Sequence, residues 1–227
     1  MNSCVAALIL TLFILAEAFK LGNSQDPETD DTYGPHGYGV KIDECNSGSI
    51  MGYEQRIFFV NQHNGKRSEL QEGKTQNGPE ESSKFQSAKD MTYMGYDCNL
   101  EKTAYRISAM CNETNDNSFD NVKYNKAIIP LSNTSDVDAI FDLNSEANVE
   151  FFIEEISRAI GDWWSTSKLS KLSADLKPTP DNNPMIPFLR MANAGTLKLG
   201  CAYSRCTSNP NSPFVSLVCQ YGEKYVT

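Results

Sequence analysis

The strongest periodic signal in the chain lies at Glu146 to Trp164. There Val149, Phe152, Ile153, Ile156, Ala159, Ile160, Trp163 and Trp164 recur at spacings of three and four. That spacing puts them on one wide apolar face of an α-helix, which has to pack on a sheet or on another helix. Cys98 to Cys111 repeats the pattern with Leu100, Ala104, Ile107 and Cys111. Asp97 stands where an N-cap belongs, and Glu101 falls in the first turn, where the helix dipole favours a negative charge. Ser49 to Leu70 reads as a further helix. Ile57, Val60, Asn64 and Arg67 fall on one stripe, Phe58 flanks it and His63 lies on its neighbouring edge. A shorter helical stretch is expected over Ala88 to Met94.

The pattern changes near the C-terminus. Thr196 to Tyr203 and Phe214 to Tyr221 are tight, strand-like apolar runs, each carrying a cysteine, with a Pro/Asn/Ser-rich turn at Thr207 to Pro213 between them. They read as two antiparallel strands of a central sheet joined by a disulfide. Ala127 to Leu131 is a short apolar strand or turn in an otherwise polar interval from Asn112 to Asn148. Gln71 to Ser83, with Gly73, Gly78 and Pro79, and Ser170 to Met185, with Pro178, Pro180 and Pro184, read as loops.

The first residues read differently. Val5 to Leu15 is apolar but too short to span a bilayer, and Ala16-Glu17-Ala18 fits a small-x-small cleavage site. Residues 1–18 are therefore expected to be a signal peptide, and no later run has the length of a membrane anchor. Residues 19–44 carry Asp26, Glu28, Asp30 and Asp31 among glycines and read as a solvated acidic tail in which His36 is an ordinary polar side chain. The remainder, residues 45–227, is read as one domain. A net charge of −9 with no basic cluster along the sequence argues against nucleic acid as a partner.

Composition then narrows the chemistry. Without Cys4 of the signal segment, six cysteines remain: Cys45, Cys98, Cys111, Cys201, Cys206 and Cys219. An even set in a secreted chain implies three disulfides, with fifteen connectivities open. No C-x-x-C pair is present and the chain holds two histidines, so a cysteine-zinc site is not expected. Asn112-Glu113-Thr114 and Asn133-Thr134-Ser135 are glycosylation sequons.

Taken in order, these segments resemble the CAP superfamily (sperm-coating protein, antigen 5 and pathogenesis-related proteins), and within it the secreted nematode branch of venom-allergen-like and Ancylostoma-secreted proteins. The residues that carry the resemblance are Arg56 with His63-Asn64 and Arg67; Ala88, Met91, Met94, Tyr96-Asp97-Cys98, Leu100-Glu101, Ala104 and Cys111; Ile160 with Trp163-Trp164; and Met191-Ala192, Thr196, Lys198 to Ala202, Cys206 and Val218 to Tyr221. The resemblance implies an α+β fold, an α-β-α sandwich with a central antiparallel sheet flanked by helices. It also implies the pairings Cys201–Cys219, Cys111–Cys206 and Cys45–Cys98.

Many members of this family have a cavity in which two histidines and two glutamates can hold a divalent metal. Here His63 matches the first histidine. The position of the second reads Pro187, and the glutamate after the tryptophan pair reads Thr166. The segment supplying the other glutamate is not recognisable between Cys111 and Glu146. Arg190 and Asn193 replace a glutamine and a tryptophan. One ligand of four does not hold zinc, and His63 has no visible nucleophile or base partner. No cofactor, metal or catalytic residue is therefore expected.

The resemblance to neutrophil-inhibitory and platelet-inhibitory hookworm members implies a secreted, non-enzymatic protein. Its expected partner is a host cell-surface or plasma protein, such as an integrin-type receptor, bound through the long loops. A weak homodimer is compatible with this reading. The alternative is sterol or lipid carriage in an apolar groove lined by Phe151, Phe152, Phe188 and Met191.

Overall fold

The computed structural model describes residues 45, 48, 49, 51–113, 124–131, 146–173, 184–209 and 211–223. Residues 1–44, His36 among them, the sequon residue Asn133 and most of the intervals 112–148 and 170–185 lie outside the described residues.

Helix α1 spans Tyr53–Gln71. Gly52 is its N-cap, and the Gln55 side chain reaches back to accept from the Gly52 amide at 2.7 Å. The buried face runs through Arg56, Phe59, Val60, His63, Arg67 and Leu70. Ile57 and Asn64, expected on the inner stripe, are only half-buried. The helix is rotated because Arg56, His63 and Arg67 find hydrogen-bond partners inside.

No helix forms over Ala88 to Met94; the segment is a turn followed by extended chain. Side chains of α1 satisfy its backbone. Asn64 accepts from the Met94 amide at 2.8 Å and donates to the Met94 carbonyl at 3.0 Å. The Arg67 guanidinium takes the Thr92 carbonyl from both Nε and Nη2. With these groups satisfied from outside, an intrahelical ladder has nothing left to gain. The segment leads instead into the two-residue strand β1, Gly95–Tyr96.

Helix α2, Cys98–Ser108, starts at Asp97, whose carboxylate accepts from the Asn99 and Leu100 amides. It stops three residues short of Cys111, which has a φ of 49°. Strand β2 is Tyr124–Pro130 and helix α3 is Glu146–Ser165, continued by a 3₁₀ turn at Thr166–Lys168. Helix α4, Ile186–Ala192, carries Pro187 in its first turn, where a missing N–H costs nothing. Strands β3, Thr196–Cys206, and β4, Phe214–Glu223, extend further than their apolar runs.

The sheet order is β1-β3-β4-β2. The β3–β4 and β4–β2 pairs are antiparallel, whereas β1 lies parallel to β3, so the sheet is mixed at that edge. Alternation along the strands makes the sandwich. Ala202 and Val218 face α2 and pack with Ala104. Cys201, Tyr203, Leu217 and Cys219 face the opposite way and join Phe59, Phe152, Ile160, Trp164 and Phe188 in the main core with α1, α3 and α4. On the α2 side the backbones come very close. A Cβ built on Gly200 would lie 2.2 Å from the Glu101 amide nitrogen, so only glycine fits there.

Candidate functional site

The site is built from the middle of α1, the start of α4 and strands β2 and β4. His63 is fully buried. Its Nδ1 lies 2.8 Å from the Phe59 carbonyl, an acceptor, so Nδ1 carries the proton. Nε2 is then an acceptor for the Tyr221 hydroxyl at 3.1 Å. Tyr221 in turn accepts from Asn125 Nδ2 at 3.0 Å, and the same nitrogen donates to the Pro187 carbonyl at 3.0 Å. The Pro187 carbonyl fixes the amide orientation, since a flip would set oxygen against oxygen. Asn125 Oδ1 is left without a partner.

The direction of every bond in this chain is determined, and both His63 nitrogens are spent. Burial dominates the imidazole's titration. It lowers the pKa to about 4 against the opposing bond to Phe59, with the Arg67 charge adding to the drop. Burial also raises the Tyr221 phenol far above its ordinary range. The group is therefore a neutral His–Tyr–Asn relay.

The residues do not fit a metal. Among the described residues no three His, Cys, Asp or Glu side chains converge on a point that could hold an ion. Pro187 contributes a carbonyl already bonded to Asn125. The Thr166 hydroxyl donates to the Trp163 carbonyl at 2.8 Å and accepts from the Phe188 amide at 3.2 Å, capping two segments. Arg190 reaches the Tyr124 carbonyl. Asn193 receives the Gly195 amide on its side chain at 2.8 Å.

The four residues named for an apolar groove lie in the main core or against it. Phe188 and Met191 are fully buried and Phe152 nearly so. Phe152 packs edge-on against Phe59 at 6.3 Å and Phe188 meets Trp164 at 4.8 Å. Phe151 is half-buried against the same core. These side chains fill the interior.

All three disulfides pair as the family resemblance implies: Cys45–Cys98, Cys111–Cys206 and Cys201–Cys219. Beside the first of them is an ion pair that the sequence did not announce. Glu101, read as a first-turn charge that complements the helix dipole, is fully buried. It accepts from Arg56 at Nε, 2.6 Å, and Nη2, 3.1 Å, and from the Ser49 hydroxyl. Asn125 was also missed; it lies beside Lys126, ahead of the apolar run Ala127 to Leu131, and nothing in that pattern marks it as buried.

This architecture, with its two-sided sheet, Arg67 and Asn64 clamps and three disulfides, defines a class. The family model for the cysteine-rich secretory protein family, CAP, matches residues 60–221, and the chain belongs to that family. Nematode venom allergen-like and ASP proteins are among its solved structural neighbours. BmVAL-1 superposes with a TM-score of 0.59 at 25% identity, over 80% of this chain and 82% of that one. A structure of NaASP2 with Zn²⁺ gives a TM-score of 0.54 at 25% identity, over 77% and 82%. Na-ASP-1 gives 0.57 at 23% identity, over 87% of this chain, which spans 43% of that longer one. A comparison with curated proteins finds no match.

Proposed function

We propose that this chain is a secreted, non-catalytic CAP-domain protein that acts by binding a host protein, either a cell-surface receptor of the integrin type or a plasma component. One observation carries this reading: the His63–Tyr221–Asn125 relay occupies and saturates the place where chemistry would have to occur. The scaffold is retained in full while its cavity is turned into packing. Recognition then falls to the polar segments read from the sequence, Gln71 to Ser83, Ser170 to Met185 and the parts of Asn112 to Asn148 outside β2, since loops on a rigid scaffold carry variable recognition. The three disulfides fit an oxidising, extracellular setting, and glycosylation is assigned to Asn112 and Asn133.

The zinc seen with NaASP2 is not carried over to this chain, because His63 offers no free nitrogen. The test is a binding screen of the glycosylated protein against host blood cells and purified receptor ectodomains. A saturable interaction with one surface protein is expected. Absence of binding to every host surface protein, or stoichiometric zinc binding in calorimetry, would overturn the reading.

A further inference from the structure

The chain is acidic, at −9, yet one groove reverses that sign. Four lysines, Lys66, Lys74, Lys84 and Lys168, line it against a single carboxylate, Glu69. The cations come from four separate places: the last turns of α1, the chain just after it, the far side of the Gln76–Lys84 bridge, and the 3₁₀ turn after α3. No single sequence cluster announces them. Lys66 is paired with Glu69 at 2.8 Å and Lys74 with Glu72. Lys84 and Lys168 meet no carboxylate among the described residues.

The groove encloses about 250 Å³, room for several waters. Its lining also holds two polar atoms without a partner, Thr75 Oγ1 and Trp164 Nε1. Both residues are more than nine-tenths buried, Thr75 at 3% exposure and Trp164 at 5%. An indole N–H can only donate, and buried donors in folded proteins are as a rule bonded. Trp163, the neighbouring indole, obeys that rule and donates to the Lys126 carbonyl at 3.2 Å. Gly161 completes the wall, and a Cβ added there would meet nothing within 4 Å.

We propose that this groove binds a tetrahedral oxyanion, phosphate or sulfate, either free or as a monoester on a sugar. Unpaired ammonium groups on separate walls, with hydroxyl and indole donors in the lining, suit a ligand whose oxygens point in four directions. A planar carboxylate would leave part of that set unused. The orphan atoms are themselves buried, each with less than 1 Å² exposed. An oxygen reaches them as the side chains above give way, and long lysine stems have that rotamer freedom.

Two tryptophans make the test site-specific. The ¹H–¹⁵N spectrum of the whole protein holds two indole signals, assigned by Trp163→Phe. Inorganic phosphate and sulfate are titrated in at constant ionic strength, with chloride as the control. The Trp164 indole is expected to shift saturably with both oxyanions and not with chloride, while the Trp163 indole stays in place. Gly161→Glu, which adds a carboxylate to the wall at a position where a Cβ has room, should abolish the shift. Lys84→Gln with Lys168→Gln should weaken binding roughly tenfold, the size of a loss of two screened charge contacts. A sulfated disaccharide that binds more tightly than inorganic sulfate identifies the monoester as the ligand, and the reverse order identifies the free ion. An unmoved Trp164 indole, a shift matched by chloride, or undiminished binding in Gly161→Glu would overturn the site.

Discussion

His63 shows how far a single residue can be read. Its place on the first helix, at the edge of the inner stripe, follows from the sequence. Its partners do not, because Tyr221 lies 158 positions away and Asn125 is brought in by a different strand. The buried ring has a testable consequence. In the unfolded chain the imidazole titrates at an ordinary value near 6.5, whereas in the folded protein burial lowers it to about 4. Between those values the unfolded state holds the extra proton, so stability is full above about pH 6.5 and falls as the pH drops towards 4. The loss attributable to this residue is on the order of 3 kcal/mol at the acid end of that window. Urea unfolding of the wild type and of His63→Gln at intervals from pH 8 to pH 4.5 measures it. The difference in slope between the two proteins should vanish above pH 7; equal slopes throughout would remove the assignment.

At the scale of elements, legibility followed periodicity. Helix α3 and the β3–β4 pair stood out because their apolar spacing is regular over many residues. Helix α4 gave no period to read: all its residues except Arg190 are buried, and it has only seven. Strand β1 is two residues long. The expected helix at Ala88 to Met94 failed because side chains of α1 took over its backbone hydrogen bonds. Arg67 is the centre of that exchange. Its planar fork reaches the Thr92, Met191 and Asn193 carbonyls, which joins the extended segment to the end of α4. A lysine keeps the charge but not the fork. Arg67→Lys should therefore cost about 1.5–3 kcal/mol, the range for hydrogen bonds to a charged group. It should also speed amide exchange along 92–94 more than in the β3–β4 pair. Uniform acceleration across both would mean that the clamp is not local. On the other face of the sheet Glu101→Ala leaves the buried Arg56 charge unpaired, a change that costs about 3–5 kcal/mol. Thermal unfolding of Glu101→Ala beside the charge-free Arg56→Met/Glu101→Leu pair separates the two terms. The double variant should recover much of the loss, and a double variant as unstable as the single would assign the cost to packing instead.

The whole molecule was legible as a family resemblance and a cysteine count before any distance was known, and the pairings hold. What the count could not supply is the difference in setting among the three bonds. Cys201–Cys219 crosses the centre of the sheet, with both residues fully buried in the main core. Cys45–Cys98 is half-buried at both ends, and Cys111 is half-buried where it meets Cys206. Thiol–disulfide exchange requires a thiolate to reach a sulfur atom, so access ranks the bonds under native conditions. A mild dithiol without denaturant should open Cys45–Cys98 first and Cys111–Cys206 next, and Cys201–Cys219 only when the domain unfolds. The second of these closes 95 residues and constrains the unfolded chain by about 4–5 kcal/mol on a chain-entropy model. Its opening should therefore lower the unfolding midpoint and bring the third bond within reach. Timed alkylation with peptide mapping follows all six cysteines at once. Labelling of Cys201 and Cys219 as early as that of Cys45 would show that the sheet opens on its own, without global unfolding. Labelling delayed until the second bond has gone would show that this bond, which ties the end of α2 to the end of β3, limits the opening of the core.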